Sequence, residues 1–173
     1  HYKRIGWNAR AQEGAVDGWY QTKFTLKEEP LVSILIPNKD HTDDLDVCLN
    51  SFFERADYQN YEFIIIENNS VLPETFAYYE KIEKEHDNVK VVYWEAGFNY
   101  SAINNFGFKF AKGDYIMLLN NDVELITPDI FQSMLGFCMR PEVGIVGAKL
   151  LYNDHTVQHA GVLVGAGGLA DHV

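Results

Sequence analysis

The run Gly113-Asp114-Tyr115-Ile116-Met117-Leu118-Leu119-Asn120-Asn121-Asp122 constrains this chain more than any other. Five consecutive apolar residues, from Tyr115 to Leu119, cannot alternate between core and water. Such a strand is expected to be covered on both faces, as central strands of parallel sheets are. It runs directly into two amides and a carboxylate. In open α/β sheets, functional groups collect just past the carboxyl ends of the strands. Asn120 and Asp122 offer hard oxygen atoms there, suited to Mg2+ or Mn2+ bridging to phosphate oxygens. A polar turn after a strand has the same composition, so the rest of the chain must decide.

Two other strands end in the same way. Residues 31–36 read as a buried strand, stopped by Pro37, that leads into Asn38-Lys39-Asp40. Residues 62–66 lead into Glu67-Asn68-Asn69-Ser70. A further strand is expected at 89–93. Helices are expected between them: 42–55, with Thr42 or Asp43 as cap, 73–85, with Pro73 in its first turn, and 101–111, ended by Gly113. Thr127-Pro128 opens a fourth helix that runs to about Met139, and strands follow near 144–152 and 157–164. Strands alternating with helices predict an α/β fold with a mostly parallel central sheet and helices on both faces. The first 30 residues read as an arm with one strand, from Trp19 to Leu26, and residues 31–173 as one domain.

Composition narrows the partners. The net charge of −11 comes without a basic stripe, which argues against nucleic acid. An acidic chain that binds a diphosphate needs local relief from repulsion, and a divalent cation is the simplest form of it. No apolar run approaches the roughly 20 residues that span a bilayer. Cys48 and Cys138 are isolated and are expected to be free thiols. His155, His159 and His172 lie on strand and loop, where their spacing does not put them on one face; they are read as surface or acceptor-site residues. Gly165-Ala166-Gly167-Gly168 follows a strand, but the full G-x-G-x-x-G pattern fails and no helix or acidic partner follows, which removes a dinucleotide-binding reading. The glycine-rich stretch from Gly165 suggests that the chain stops inside a larger fold. One of the neighbouring amides Asn104 and Asn105, set in an otherwise apolar helix, is expected to make a specific hydrogen bond. The start of that helix, residues 99–102, can also face an anion.

Together these motifs resemble the family 2 inverting glycosyltransferases, which have the GT-A (nucleotide-diphospho-sugar transferase) fold. Val32-Ser33-Ile34-Leu35-Ile36-Pro37-Asn38-Lys39-Asp40 is similar to their first nucleotide-binding strand. Tyr61-Glu62-Phe63-Ile64-Ile65-Ile66-Glu67-Asn68-Asn69-Ser70 is similar to the second. Phe98 to Gly107 resembles their Asn-x-Gly helix, and Leu118-Leu119-Asn120-Asn121-Asp122 takes the place of the Asp-x-Asp motif. Residues 143–152 and Gln158-His159-Ala160-Gly161 resemble a later segment of O-antigen and rhamnan-type members. The resemblance runs from Leu31 to the end of the chain.

The resemblance implies the roles. Pro37, Asn38, Asp40, Glu67 and Asn68 would line the nucleoside pocket. Asn105 and Asn121 would support the donor. Asp122 would be the main metal ligand and Asn120 the second, holding Mg2+ or Mn2+ against the diphosphate of a UDP- or dTDP-linked sugar. The acceptor would be a glycan or lipid-linked hydroxyl, used on the cytoplasmic side, at the inner face of a membrane. Asn120 stands where the family has Asp, so weaker metal binding is expected. No general base is found, since Asp171 follows too closely on the preceding segment. The base is expected beyond residue 173, leaving this chain able to bind donor but poor at turnover. A non-catalytic nucleotide-sugar or glycan-binding module is the alternative.

Overall fold

The computed structural model describes residues 1–14, 16–165 and 170–172. The chain divides into two compact units: residues 27–129, and residues 1–26 with 130–173.

The first unit is built on four parallel strands. β3 (Val32–Asn38), β4 (Tyr61–Glu67), β5 (Val89–Tyr93) and β6 (Tyr115–Leu118) lie in the order β5-β4-β3-β6. They are linked by α1 (Thr42–Arg55), α2 (Pro73–Glu85) and α3 (Tyr100–Gly107). The mostly parallel α/β expectation therefore holds. β3 and β4 are buried nearly throughout, and the core cluster of Leu35, Ile64, Ile66, Val92 and Ile103 joins the sheet to α3. Gly107 permits that close approach: a Cβ there would stand 2.4 Å from Ile66 Cδ1.

The apolar run at 115–119 departs from expectation. β6 pairs with β3 on one side only, and no strand pairs with its other edge among the described residues. Its residues are half-buried, and Leu118 is 53% exposed. An unbroken apolar run thus marks an edge strand here.

Pro37 does not stop β3, which continues through it to Asn38. Leu35 O accepts from Leu119 N–H, so the odd-numbered residues of β3 face β6. The next rung would require Pro37 to donate to Leu119, and proline has no N–H. Pro37 thus ends the β3–β6 ladder while leaving β3–β4 pairing intact, and the chain after Leu119 is released from the sheet.

The expected caps of α1 are replaced by another device. Thr42 is already helical, and the chain enters through Asp40 (φ 55°) and His41 (φ 37°) in the left-handed region. Such conformations cost of order 1–3 kcal/mol each in non-glycine residues and persist where surroundings hold them.

The second unit contains a hairpin where one strand was expected in the arm: β1 (Ala9–Glu13) pairs antiparallel with β2 (Tyr20–Phe24). α4 (Ile130–Cys138) packs on β2, with Gly136 against the Phe24 ring. Of the two later strands, only short pieces form: β7 (Leu150–Leu151) with β8 (Val157–His159), and β9 (Val162–Val164) with β10 (Ala170–His172). Of the glycine-rich segment, residues 166–169 lie outside the described residues.

Candidate functional site

The carboxyl ends of β3 and β4 and the segment after β6 meet in one hydrogen-bonded chain. Asn121 Nδ2 donates to Asn38 Oδ1 at 2.7 Å. Asn38 Nδ2 donates to the Tyr79 hydroxyl at 2.8 Å and to the Asp40 carbonyl at 2.9 Å. Tyr79 in turn donates to Glu67 Oε2 at 2.8 Å. The Ser70 N–H and hydroxyl donate to the two oxygens of the same carboxylate. Asn38, Tyr79 and Glu67 are 2%, 1% and 3% exposed, so these groups are tied to one another and not to water. Burial, reinforced by the Glu67 carboxylate and opposed by donation from Asn38, pushes the Tyr79 phenol well above its ordinary value, and it stays protonated.

Asp40 closes the edge of this group. Its Oδ1 accepts from Val71 N–H, Leu72 N–H and the Thr75 hydroxyl, while its own N–H donates to Ser70 Oγ. Desolvation pushes its carboxyl up, but these donors outweigh that and hold it below the usual range. α2 has no side-chain cap of its own at Leu72, and Asp40 supplies one from a different loop. The consecutive N–H groups of Ser70, Val71 and Leu72 are therefore filled by Glu67 and Asp40. A helix N-terminus at this edge of a sheet is a ready anion site. At α2 the protein's own carboxylates occupy it.

The segment after β6 is pinned along its length. Cys48 Sγ lies 3.9 Å from Asn120 O, Ser51 Oγ accepts from Leu125 N–H, and Arg55 reaches both Leu125 O and the Glu124 carboxylate. Burial pushes the Cys48 thiol up to about 12, with the Asp122 carboxylate adding to the rise and the Val123 backbone opposing it. Cys48 is an inert thiol; it and Cys138 are both free, as expected. On this pinned segment Asn120 and Asp122 are exposed and Asn121 is half-buried.

Asn38, Asp40, Glu67 and Asn121 are thus brought together. Asn120 and Asp122 flank Asn121 on the open side. Asn68 is buried beside them, its N–H donating to Asn38 O. Asn105 is exposed on α3. Its neighbour Asn104 is the buried amide, donating to Tyr100 O, with Oδ1 lacking a partner. At the start of α3 the Ala102 N–H is taken by the Asn99 side chain. Tyr79, Ser70 and Thr75 were missed by reading the sequence. Tyr79 sat in the apolar stripe of α2, yet a tyrosine on a buried face needs a partner for its hydroxyl, and that was the available signal.

No group of three or more His, Cys, Asp or Glu side chains is placed to hold a metal ion among the described residues. One exposed carboxylate with a neighbouring amide oxygen still suits Mg2+ or Mn2+, which keep several waters and bind through one or two carboxylates plus phosphate oxygens. No helix among the described residues is long and apolar enough to cross a membrane.

Comparison with known proteins agrees with this architecture. The chain is 41% identical over 153 residues to the O-antigen biosynthesis protein RfbC of Myxococcus xanthus, covering 88% of this chain and 12% of that protein. It is 40% identical over 159 residues to the uncharacterized protein y4gI of Sinorhizobium fredii, covering 92% and 18%. The chain thus spans under a fifth of the length of these curated relatives. Among solved structures, the mannosyltransferase PcManGT of Pyrobaculum calidifontis, in complex with GDP-Man and Mn2+, superposes with a TM-score of 0.61 at 16% identity. That match covers 68% of this chain and 35% of that one. TarS 1–349 of S. aureus, in complex with UDP-GlcNAc, gives 0.52 at 19%, covering 62% and 31%. These neighbours share the GT-A fold. Residues 33–162 match the pattern of glycosyl transferase family 2, and the chain belongs to that family.

Proposed function

We propose that this chain forms the donor-binding part of a transferase that moves a sugar from a nucleoside diphosphate to a glycan or lipid-linked hydroxyl, with inversion at the anomeric carbon. One observation carries the reading. Asp122 is an exposed carboxylate on a pinned segment, joined through Asn121 and Asn38 to the ends of β3 and β4. Asp40 and Glu67 have their charge matched by donors, whereas Asp122 is exposed and open to a ligand.

Asp122, with Asn120 beside it, would hold Mg2+ or Mn2+. The cation would supply Lewis-acid stabilisation of negative charge on the departing diphosphate. Because the α2 N-terminus is already filled, the diphosphate is drawn to the β6 side of the edge. Pro37, Asp40 and Asn68 would face the nucleoside, a uridine or thymidine, over a floor of Asn38 and Glu67. Asn105 and Asn121 would support the donor. The acceptor hydroxyl attacks from the face opposite the diphosphate, and we place the carboxylate that takes its proton outside these residues. The likeness to an O-antigen biosynthesis protein supports a polysaccharide acceptor. Work at the cytoplasmic face of a membrane is part of the same proposal.

The test is thermal-shift and calorimetric titration with UDP-, dTDP- and GDP-sugars, with and without Mn2+. A nucleotide sugar is expected to stabilise the parent only with the cation, and Asp122→Ala is expected to lose that cation-dependent part. If Asp122→Ala bound the same sugar nucleotide as tightly as the parent, the site assignment would be wrong.

A further inference from the structure

The hydrogen bonds running from Glu67 to Asn121 have a fixed direction. Ser70 N–H, the Ser70 hydroxyl and the Tyr79 hydroxyl all point into Glu67, whose oxygens only accept. The single Tyr79 proton is therefore committed, and the Tyr79 oxygen can only accept, which it does from Asn38 Nδ2. The other Nδ2 proton of Asn38 goes to the Asp40 carbonyl. Asn38 Oδ1 is left facing Asn121 and takes a proton from its Nδ2. Each link dictates the next. Asn121 must turn its N–H inward and its Oδ1 outward, beside the exposed Asp122.

We propose that Tyr79 and Asn38 are positioning residues: they clamp the 120–122 loop through the Asn121 amide and set how tightly that loop holds a divalent cation. In this reading neither would touch the cation or the donor diphosphate. This rests on the reading of Asp122 as the cation ligand. Tyr79 is the informative position, because its hydroxyl lies two links from Asn121. Removing it leaves one Asn38 proton and one Glu67 lone pair without partners inside the sheet edge. Asn38 Nδ2 keeps only its bond to the Asp40 carbonyl, so the amide is held less firmly and its grip on Asn121 loosens.

Tyr79→Phe removes this hydroxyl alone. Tyr58→Phe is the matched control: its buried hydroxyl donates to the Pro30 carbonyl, ahead of the amino ends of the strands. Two readouts are needed. Solvent exchange of the Asn121 side-chain amide protons, followed by nitrogen-15 NMR, reports the clamp. Mn2+ affinity by electron paramagnetic resonance, with UDP, dTDP or GDP present, reports its consequence. In Tyr79→Phe the Asn121 protons are expected to exchange faster and the Mn2+ dissociation constant to rise about threefold to tenfold, the effect of one buried hydrogen bond. Tyr58→Phe is expected to change neither. The proposal is overturned if Tyr79→Phe matches the parent in either readout, or if Tyr58→Phe weakens Mn2+ binding equally. If Asp122→Ala keeps parental Mn2+ affinity, the reading of Asp122 itself has failed. The clamp's role in affinity then fails with it, and the Asn121 exchange readout tells the two failures apart.

Discussion

Glutamine at position 67 is the most searching single change to the buried network. Glu67→Gln keeps size and shape but turns one oxygen into an N–H donor. Suppose the new amide nitrogen takes the Oε1 position. It then faces the Ser70 N–H, a donor that cannot rotate. Suppose instead it takes the Oε2 position. Tyr79 must then accept from it and would have to send its own proton towards Asn38 Nδ2, which is also a donor. Either way one donor meets another in a site where residue 67 is 3% exposed. A bond to a charged group contributes about 1.5–3 kcal/mol, and an unpartnered buried polar group costs about 1–3, so the loss should be about 2–3 kcal/mol. For a chain of this size that lowers Tm by about 4–12 °C. Calorimetry or circular dichroism melts would measure it. Glu80→Gln, on the solvated face of α2 where the side chain is 77% exposed, is the control and should stay within about 0.5 kcal/mol. A Glu67→Gln protein as stable as Glu80→Gln would refute the directional argument, since it would mean the network can reverse its donors freely.

Gly113→Ala should destabilise more than Gly107→Ala. The added methyl at 113 meets Leu31 O at 2.6 Å and Ser33 N at 2.7 Å, backbone atoms that cannot yield, whereas at 107 it meets the end of the Ile66 side chain, which can shift by rotation. Overpacking of about 1–3 kcal/mol is expected at 113, while at 107 the roughly 1 kcal/mol gained in helix propensity offsets part of the strain; parallel urea melts would show the order. Cys48 should label slowly with iodoacetamide at pH 8, at a rate that rises to that of a free thiol only in denaturant. Its folded value near 12 lies above the ordinary 9.0, so the thiol's contribution to stability is complete below pH 9 and is lost as pH climbs towards 12. Cys48→Ala should flatten that alkaline loss, measured as the midpoint of urea unfolding against pH.

The parallel sheet was legible because three apolar runs, each closed by polar residues, alternate with helical periods. α1 and α2 were read at their observed bounds for the same reason. The order of strands was not legible. Tyr115 to Leu119 looks central by composition, and only pairing reveals that β3 and β4 are the inner strands while β6 lies at the edge among the described residues. Three strand ends were read as one site, and Asn38, Asp40, Glu67 and Asn121 do converge. Their division of labour was hidden, because it depends on contacts between residues far apart in sequence. Asp40 caps a helix that starts at Pro73, and Tyr79 reaches back from the second turn of α2 to Asn38. Local pattern cannot show that a phenol in an apolar stripe is the bridge between two strand ends.

The distribution of carboxylates bears on how a chain of net charge −11 would hold the proposed diphosphate at this edge. Each carboxylate near the strand ends would repel a phosphate if left bare. Glu67 accepts three donors inside the fold, and Asp40 Oδ1 accepts three at the start of α2. Both thereby fill backbone N–H positions that a phosphate would otherwise seek. Asp122 is treated differently: it is exposed, and the neighbouring Asn120 and Asn121 are neutral. A site with two or three free carboxylates would bind a cation more tightly by itself. One carboxylate flanked by amides binds weakly alone and gains most when phosphate oxygens complete the shell. Cation and nucleotide should therefore bind with strong mutual dependence. By linkage, the factor by which nucleotide tightens Mn2+ must equal the factor by which Mn2+ tightens nucleotide. Replacing Asn120 by Asp should raise Mn2+ affinity in the absence of nucleotide and shrink that factor. Measured coupling that stayed the same in Asn120→Asp would exclude Asn120 from the cation's surroundings.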